Sequence, residues 1–183
     1  IKSGIVSGTT SANAFGTGTI TIGDSSGSAN ATLDGGFAGT HANLISVAST
    51  NTGIATVTSS AASIFSGAVT LNSHDLKLSP AASTLTLSGG ITGTGNLVLN
   101  ATAGGVITLQ TASTNNTGTI TNSGAGSATN IISGGVGSNV TGIIQNSTTS
   151  ALTISTTAIT VNASGTTLTN TSGTAVLTVS GGV

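Results

Sequence analysis

His74-Asp75 with Lys77 is the densest group of chemically capable side chains in this 183-residue chain. An imidazole beside a carboxylate is the pairing of a general base with the group that orients it. Adjacent residues of a strand point to opposite faces, however, so His74 and Asp75 diverge if both lie in one. The other carboxylates are Asp24 and Asp34. Their spacing from each other and from Asp75 matches no pair of the kind that flanks a glycosidic bond. Solenoid lyases and hydrolases gather several carboxylates and basic residues on one sheet, and three acidic with two basic residues are too few. The three aspartates are read as solvated surface groups. His41 stands alone in Gly39-Thr40-His41-Ala42-Asn43, a loop histidine with no second ligand in reach. Gly23-Asp24-Ser25-Ser26-Gly27 has the outline of a calcium loop, but no glycine-aspartate nonapeptide recurs and one aspartate does not hold calcium. No glycine-rich segment runs into Lys-Ser or Lys-Thr, so a phosphate cradle has no support. Several Asn-x-Ser/Thr triplets, including those at Asn30, Asn100, Asn139 and Asn162, are what chance produces in a chain this rich in Asn, Ser and Thr. No catalytic, cofactor-binding or metal-binding residue is therefore assigned, and no cofactor is expected.

Composition narrows the remaining classes. A net charge of -1 with 3% charged residues gives no electrostatic footprint for nucleic acid or an anionic membrane. Phe15, Phe37 and Phe65 are the whole aromatic set, which removes the stacking platforms of single-strand binders and of many sugar sites. Without cysteine there is neither a disulfide framework nor a thiolate metal site. No apolar run approaches the ~18 residues that span a bilayer, and no segment resembles a signal peptide. The abundance of Gly and Ser suggests a flexible low-complexity tract. A mean hydropathy of +0.41 and apolar residues that recur in register argue instead for a packed core.

Short alternating runs such as Thr84-Leu85-Thr86-Leu87, Val106-Ile107-Thr108-Leu109 and Ala151-Leu152-Thr153-Ile154 have the period of strands, and no stretch holds a helical period. Antiparallel hairpins favour Asn-Gly or Asp-Gly turns, yet Asp34-Gly35 is the single instance. Sliding the chain against itself reveals two apolar columns, both at steps of about 22 residues. One runs through Ile22, Leu44, Phe65, Leu87, Leu109, Ile132, Ile154 and Val179; the other through Leu33, Ile54, Leu76, Val98, Ile120, Ile143 and Leu168. Both final steps lengthen together, which one insertion between Ile154 and Leu168 explains. Gly-Gly follows the first column at 89-90, 134-135 and 181-182, where a tight corner needs glycine.

A unit of this size does not bury its own apolar face and must stack on copies above and below. The expected fold is all-β, a parallel β-helix of about eight coils of about 22 residues forming a rod roughly 40 Å long. Residues 1–183 form one solenoid segment, each coil reading as strand, small-residue corner, strand and longer loop. The chain starts at Ile1 and stops inside a recurring pattern, so both ends read as cut from something longer or as surfaces that stack on identical copies. Two residues beyond the second column stand Leu78, Asn100, Asn122, Gln145 and Asn170, which predicts an internal amide ladder ended by Leu78.

The segments 84–97, 116–124 and 132–147, typified by Leu87-Ser88-Gly89-Gly90-Ile91-Thr92-Gly93 and Ile132-Ser133-Gly134-Gly135-Val136, resemble the autotransporter-associated β-strand repeat family of bacterial surface proteins. The resemblance covers the chain from about Ile64 onward. It implies export through the outer membrane, display at the cell surface as part of a long passenger, and no catalytic residues. The expected role is a non-enzymatic stalk, adhesin passenger or extracellular filament subunit. A glycan- or host-surface-binding module is the alternative, and a polysaccharide-degrading β-helix enzyme the second. End-to-end self-association and contact with a glycan or cell surface are the expected partnerships, with no nucleic acid and no membrane span. A rod without a groove favours the stalk; a loop-walled cleft with ordered polar groups favours binding.

Replacing Leu109 by Asp places an unpaired charge in the proposed core. Thermal unfolding followed by circular dichroism is expected to show loss of the cooperative transition or a large fall in Tm; an unchanged melt contradicts the column assignment.

Overall fold

The structure, a computed structural model, describes residues 1–171 and 173–183. Among these residues there is no helix, and nineteen short strands pair only in parallel. The chain is a parallel β-solenoid of about eight turns, about 23 residues apart, as the repeat predicts.

Each coil visits up to three sheets. The first sheet stacks Gly4–Ser7, Ala31–Gly35, Ala55–Ser59, Leu76–Leu78, Leu97–Leu99, Gly118–Asn122, Val140–Gln145 and Thr167–Asn170. The second stacks Thr40–His41, Ser63–Phe65, Thr84–Leu87, Val106–Leu109, Asn130–Ile132, Leu152–Ile154 and Leu177–Val179. A third contains Ile20–Ile22, Ile45–Val47, Val69–Asn72 and Ile91–Thr94, and single bridges extend it through Thr114, Val136 and Ile159. The expectation of two strands per coil is thus corrected: the apolar residue after each corner begins a third wall, and Ile45, Val69, Ile91 and Val136 are buried along it. Thr114 interrupts that wall, and its buried hydroxyl has no hydrogen-bond partner.

Side chains alternate inward and outward, so every coil places its inner residues one strand spacing above those of the coil below. The first predicted column holds from Phe65 through Leu87, Leu109, Ile132 and Ile154 to Val179 in unbroken register. Its two N-terminal members are corrected. Ile22 belongs to the third sheet, where it pairs with Val47, and Leu44 is 54% exposed. The residue beside Phe65 is His41. In the second column Leu76, Ile120, Ile143 and Leu168 are in register, but their partners are Ala31, Ala55 and Leu97 rather than Leu33, Ile54 and Val98. Ile54 is 52% exposed, and Val98 lies on the outer face between buried Leu97 and Leu99. Steps between coils are uneven here, and Leu97-Val98-Leu99 is apolar throughout, so a uniform period slips by one residue. The common insertion falls between Ile159, bridged to Val136, and Thr167, paired with Gly142.

The corners explain the Gly-Gly pairs. The second glycine of each, Gly90, Gly135 and Gly182, has φ of +81°, +90° and +89°. A Cβ on the first would lie 2.3 Å from the backbone of Gly67 at Gly89 and 2.4 Å from a carbonyl of the neighbouring coil at Gly134 and Gly181. One glycine bends the chain and the other lets two backbones touch.

Two residues inward of Leu76 and its equivalents runs Leu33, Val57, Leu78, Leu99, Asn122, Gln145 and Asn170. The amide ladder is therefore real for one step, Asn122 to Gln145, and follows Leu99; Asn100 faces outward and bonds Ser79. Asn122 and Gln145 are fully buried, whereas Asn170 aligns with them and is exposed. Asn122 Nδ2 donates to Gln145 Oε1 at 2.8 Å and to the Ser150 carbonyl at 2.8 Å. Across the core, Asn130 Nδ2 donates to Asn122 Oδ1 at 2.9 Å, while its own Oδ1 accepts the Ile107 N–H at 2.8 Å. Gln145 Nε2 donates to the carbonyls of Ser147 and Ser150. The network satisfies its buried amides, the condition under which such a group is tolerated.

Asn122→Leu removes both acceptor and donor from this network, which strands the Gln145 side-chain carbonyl and leaves the Asn130 amide only its longer bond to Ser150 Oγ. A loss of about 1–3 kcal/mol is expected in urea unfolding, with the cooperative transition preserved; stability at or above that of the wild type contradicts the network's role.

Candidate functional site

The corner joining the third sheet to the first shortens abruptly along the rod. Residues 48–54 link Ile45–Val47 to Ala55–Ser59, residues 73–75 link Val69–Asn72 to Leu76–Leu78, and residues 95–96 link Ile91–Thr94 to Leu97–Leu99. The long corner overhangs the short ones and walls a cleft of about 540 Å³, lined by Asn51 to Ala55, Ser73 to Lys77 and Val98. Gly95 makes the short corner possible: its φ is +142°, and a Cβ there would sit 2.3 Å from the His74 carbonyl.

His74, Asp75 and Lys77 all lie in this cleft, but the Asp75 carboxylate does not bond His74 Nδ1. His74 Nδ1 faces the backbone carbonyl of Asp75 at 2.8 Å, not its carboxylate. The Asp75 carboxylate instead accepts the Asn96 N–H at 2.7 Å and approaches Asn96 Nδ2 at 3.3 Å. Asn96 Oδ1 in turn accepts from the N–H and hydroxyl of Thr119, and Asn30 Oδ1 accepts the Ile54 N–H. An Asp or Asn at the entrance to a first-sheet strand thus brackets the next coil's backbone. Lys77 alternates outward between buried Leu76 and Leu78, and its ammonium forms no ion pair among the described residues.

The reading of the aspartates as solvated groups is corrected at Asp34, which is only 9% exposed. Its carboxylate accepts from Ser7 Oγ at 2.6 Å, from the Ser60 N–H at 2.8 Å and from Ser60 Oγ at 2.8 Å. Hydroxyls and an amide, not a cation, hold the charge in place. Asp24 does reach solvent and pairs with Lys2 at 3.7 Å, an exposed contact worth little. Asp34 aligns with Thr58 inside its strand while Asp75 precedes one, so the two do not share a line along the rod.

His41 is likewise no loop histidine. It is fully buried in the second sheet, with its ring centroid 5.0 Å from Phe15, 5.1 Å from Phe65 and 6.4 Å from Phe37. All three aromatics of the chain meet around it. Nδ1 contacts the Ala12 carbonyl at 3.1 Å, while Nε2 is buried without a partner. Asn43 Nδ2 donates to the carbonyls of Gly16 and Gly18. The segment 8–18 is thereby tied over Thr40–His41, the edge strand of its sheet, and Phe15 covers that end of the core.

Among the described residues no group of three or more His, Cys, Asp or Glu is placed to hold a metal ion. Among the same described residues no helix is long and apolar enough to cross a membrane. The fold-level features missed in the sequence had faint signals: Asn130 precedes Ile132 by two and so faces inward, whereas the serines around Asp34 come from coils about one turn away. Comparison with protein-family models, curated proteins and solved structures finds no match.

Asp34→Ala leaves Ser7 and Ser60 without their acceptor and opens a hole between coils. Chemical unfolding is expected to show a loss of about 1–3 kcal/mol, while Asp24→Ala changes stability by less than about 1 kcal/mol. Equal effects of the two substitutions contradict the buried role of Asp34.

Proposed function

We propose that this chain is a non-enzymatic structural rod of a secreted or cell-surface bacterial protein, serving as stalk, adhesin passenger or extracellular filament subunit. The observation that carries the reading is the unbroken parallel pairing of the first sheet from Gly4 to Asn170, with one apolar core beneath it. Such an architecture converts chain length into reach, and every internal coil is held by backbone bonds to two neighbours. Sparse ionisable groups fit a task of spacing rather than catalysis, and the resemblance to autotransporter-associated repeats supplies the surface setting.

Ile5 and Val6 on the first strand, and Leu168, Val176 and Val183 at the other end, are exposed apolar residues on edge strands or beside them. Exposed edges recruit further strands, which accords with identical copies stacked end to end. A second reading, a glycan- or host-surface-binding module, is favoured by the cleft at the corner of residues 48–54 and 73–75.

Immunogold electron microscopy of the producing cells, with antibody raised against this chain, tests the rod reading. Label is expected on extracellular stalks or filaments; label confined to the cytoplasm overturns it. Incubation of purified protein with soluble polysaccharides is expected to release no reducing ends or unsaturated products, and turnover that disappears in His74→Ala or Asp75→Ala overturns the non-enzymatic assignment.

A further inference from the structure

The cleft beside Lys77 joins three features that select a ligand. Its floor is aliphatic, from half-exposed Ile54 and outward-facing Val98. Its rim holds polar groups of complementary kinds: the Lys77 ammonium donates only, the Asp75 carboxylate accepts only, and the hydroxyls of Thr52 and Ser73 and the imidazole of His74 do both. Lys77 Nζ, Ser73 Oγ and His74 Nε2 make no hydrogen bond to the described residues, so these tips are free for a ligand. Asp75 is held in place by Asn96, which fixes the direction of its oxygens.

We infer that the cleft binds a short stretch of uncharged saccharide. A pyranose ring has a C–H face for the aliphatic floor and adjacent hydroxyls that each donate and accept, matching a rim of mixed donors and acceptors. Lys77 and Asp75 lie two residues apart with opposite charge, so the cleft carries no net charge to select an anion. A lipid leaves the rim unpaired. A peptide added as a strand requires a free edge, yet Leu76–Leu78 is bonded on both sides, to Ala55–Ser59 and Leu97–Leu99. The volume of about 540 Å³ lies within the roughly 300–1,000 Å³ of small-ligand sites. Because the trough is open and lacks an aromatic platform, the expected Kd per site is about 1 mM. Multiple copies on one surface lower the apparent Kd by avidity.

The inference deepens the binding reading above, and its failure leaves the rod reading to be judged by microscopy. ¹H–¹⁵N spectra of the whole chain are recorded with maltotriose, cellotriose, mannotriose and triacetylchitotriose, and with trigalacturonate as the charged counterpart. At least one neutral trisaccharide is expected to shift the amides of Thr52, Ser73, His74, Lys77 and Val98 in a saturable manner, and more strongly than trigalacturonate. Lys77→Gln and, separately, His74→Ala are expected to weaken that binding by about five-fold or more. Thr121→Ala, on the same outer face two coils away, leaves affinity unchanged; the melting curve of each variant checks that it folds. No saturable shift with any neutral probe, shifts centred elsewhere, a preference for trigalacturonate, or full affinity in both folded cleft variants overturns the inference.

Discussion

Everything in this molecule depends on one constraint: each coil must hydrogen-bond its neighbours in parallel register, at the fixed spacing of adjacent strands. With about 23 residues per turn, a coil has too few inward side chains to seal a core alone. It supplies a layer, and the layers above and below complete it. The same constraint decides what a given residue tolerates. At the corners it presses backbones together until only glycine fits, as at Gly89 and Gly134. Within the core it places like above like, so leucine stacks well and one buried amide is best served by another.

The buried polar network shows how that constraint handles a costly group. An isolated Asn122 in this interior would lose its hydration without compensation. Stacked below Gln145 and facing Asn130, it finds partners in side chains and in the Ser150 carbonyl. Only coils stacked in register offer this arrangement, so the network also penalises slippage between those coils, which would separate every pair at once. Coils on the other side of Leu99 use an all-apolar version of the same column. The interior changes character along the rod while the backbone pattern stays constant.

Departures from regularity concentrate where the rod acquires individuality. The segment 8–18 folds over the edge of the second sheet and brings Phe15 to His41, gathering the scarce aromatics into one plug. The shortening corner between the third and first sheets produces the cleft beside Lys77. In both places a change of loop length, not of strand sequence, makes the feature. Strands set by the repeat provide the support, and loops vary on it because they lie outside the ladder.

Periodicity by itself determined the parallel solenoid, the position of the insertion, the Gly-Gly corners and the column from Phe65 to Val179, because stacked strands repeat their apolar residues at nearly constant separation. It also indicated inward amides at Asn122 and Gln145, since residues two apart share a face. Tertiary structure alone decided the rest. Leu97-Val98-Leu99 is apolar at every position, so only pairing with Leu76 and Ile120 reveals which face is inside and why Asn100 is not part of the ladder. Asp34 reads as a surface residue until serines from two other coils close on it, and His41 as a loop residue until three phenylalanines surround it. Those environments are built from segments about one coil apart or more, and their contacts depend on how each corner folds. A one-dimensional period specifies which layer a residue occupies; the corner geometry specifies what it meets there.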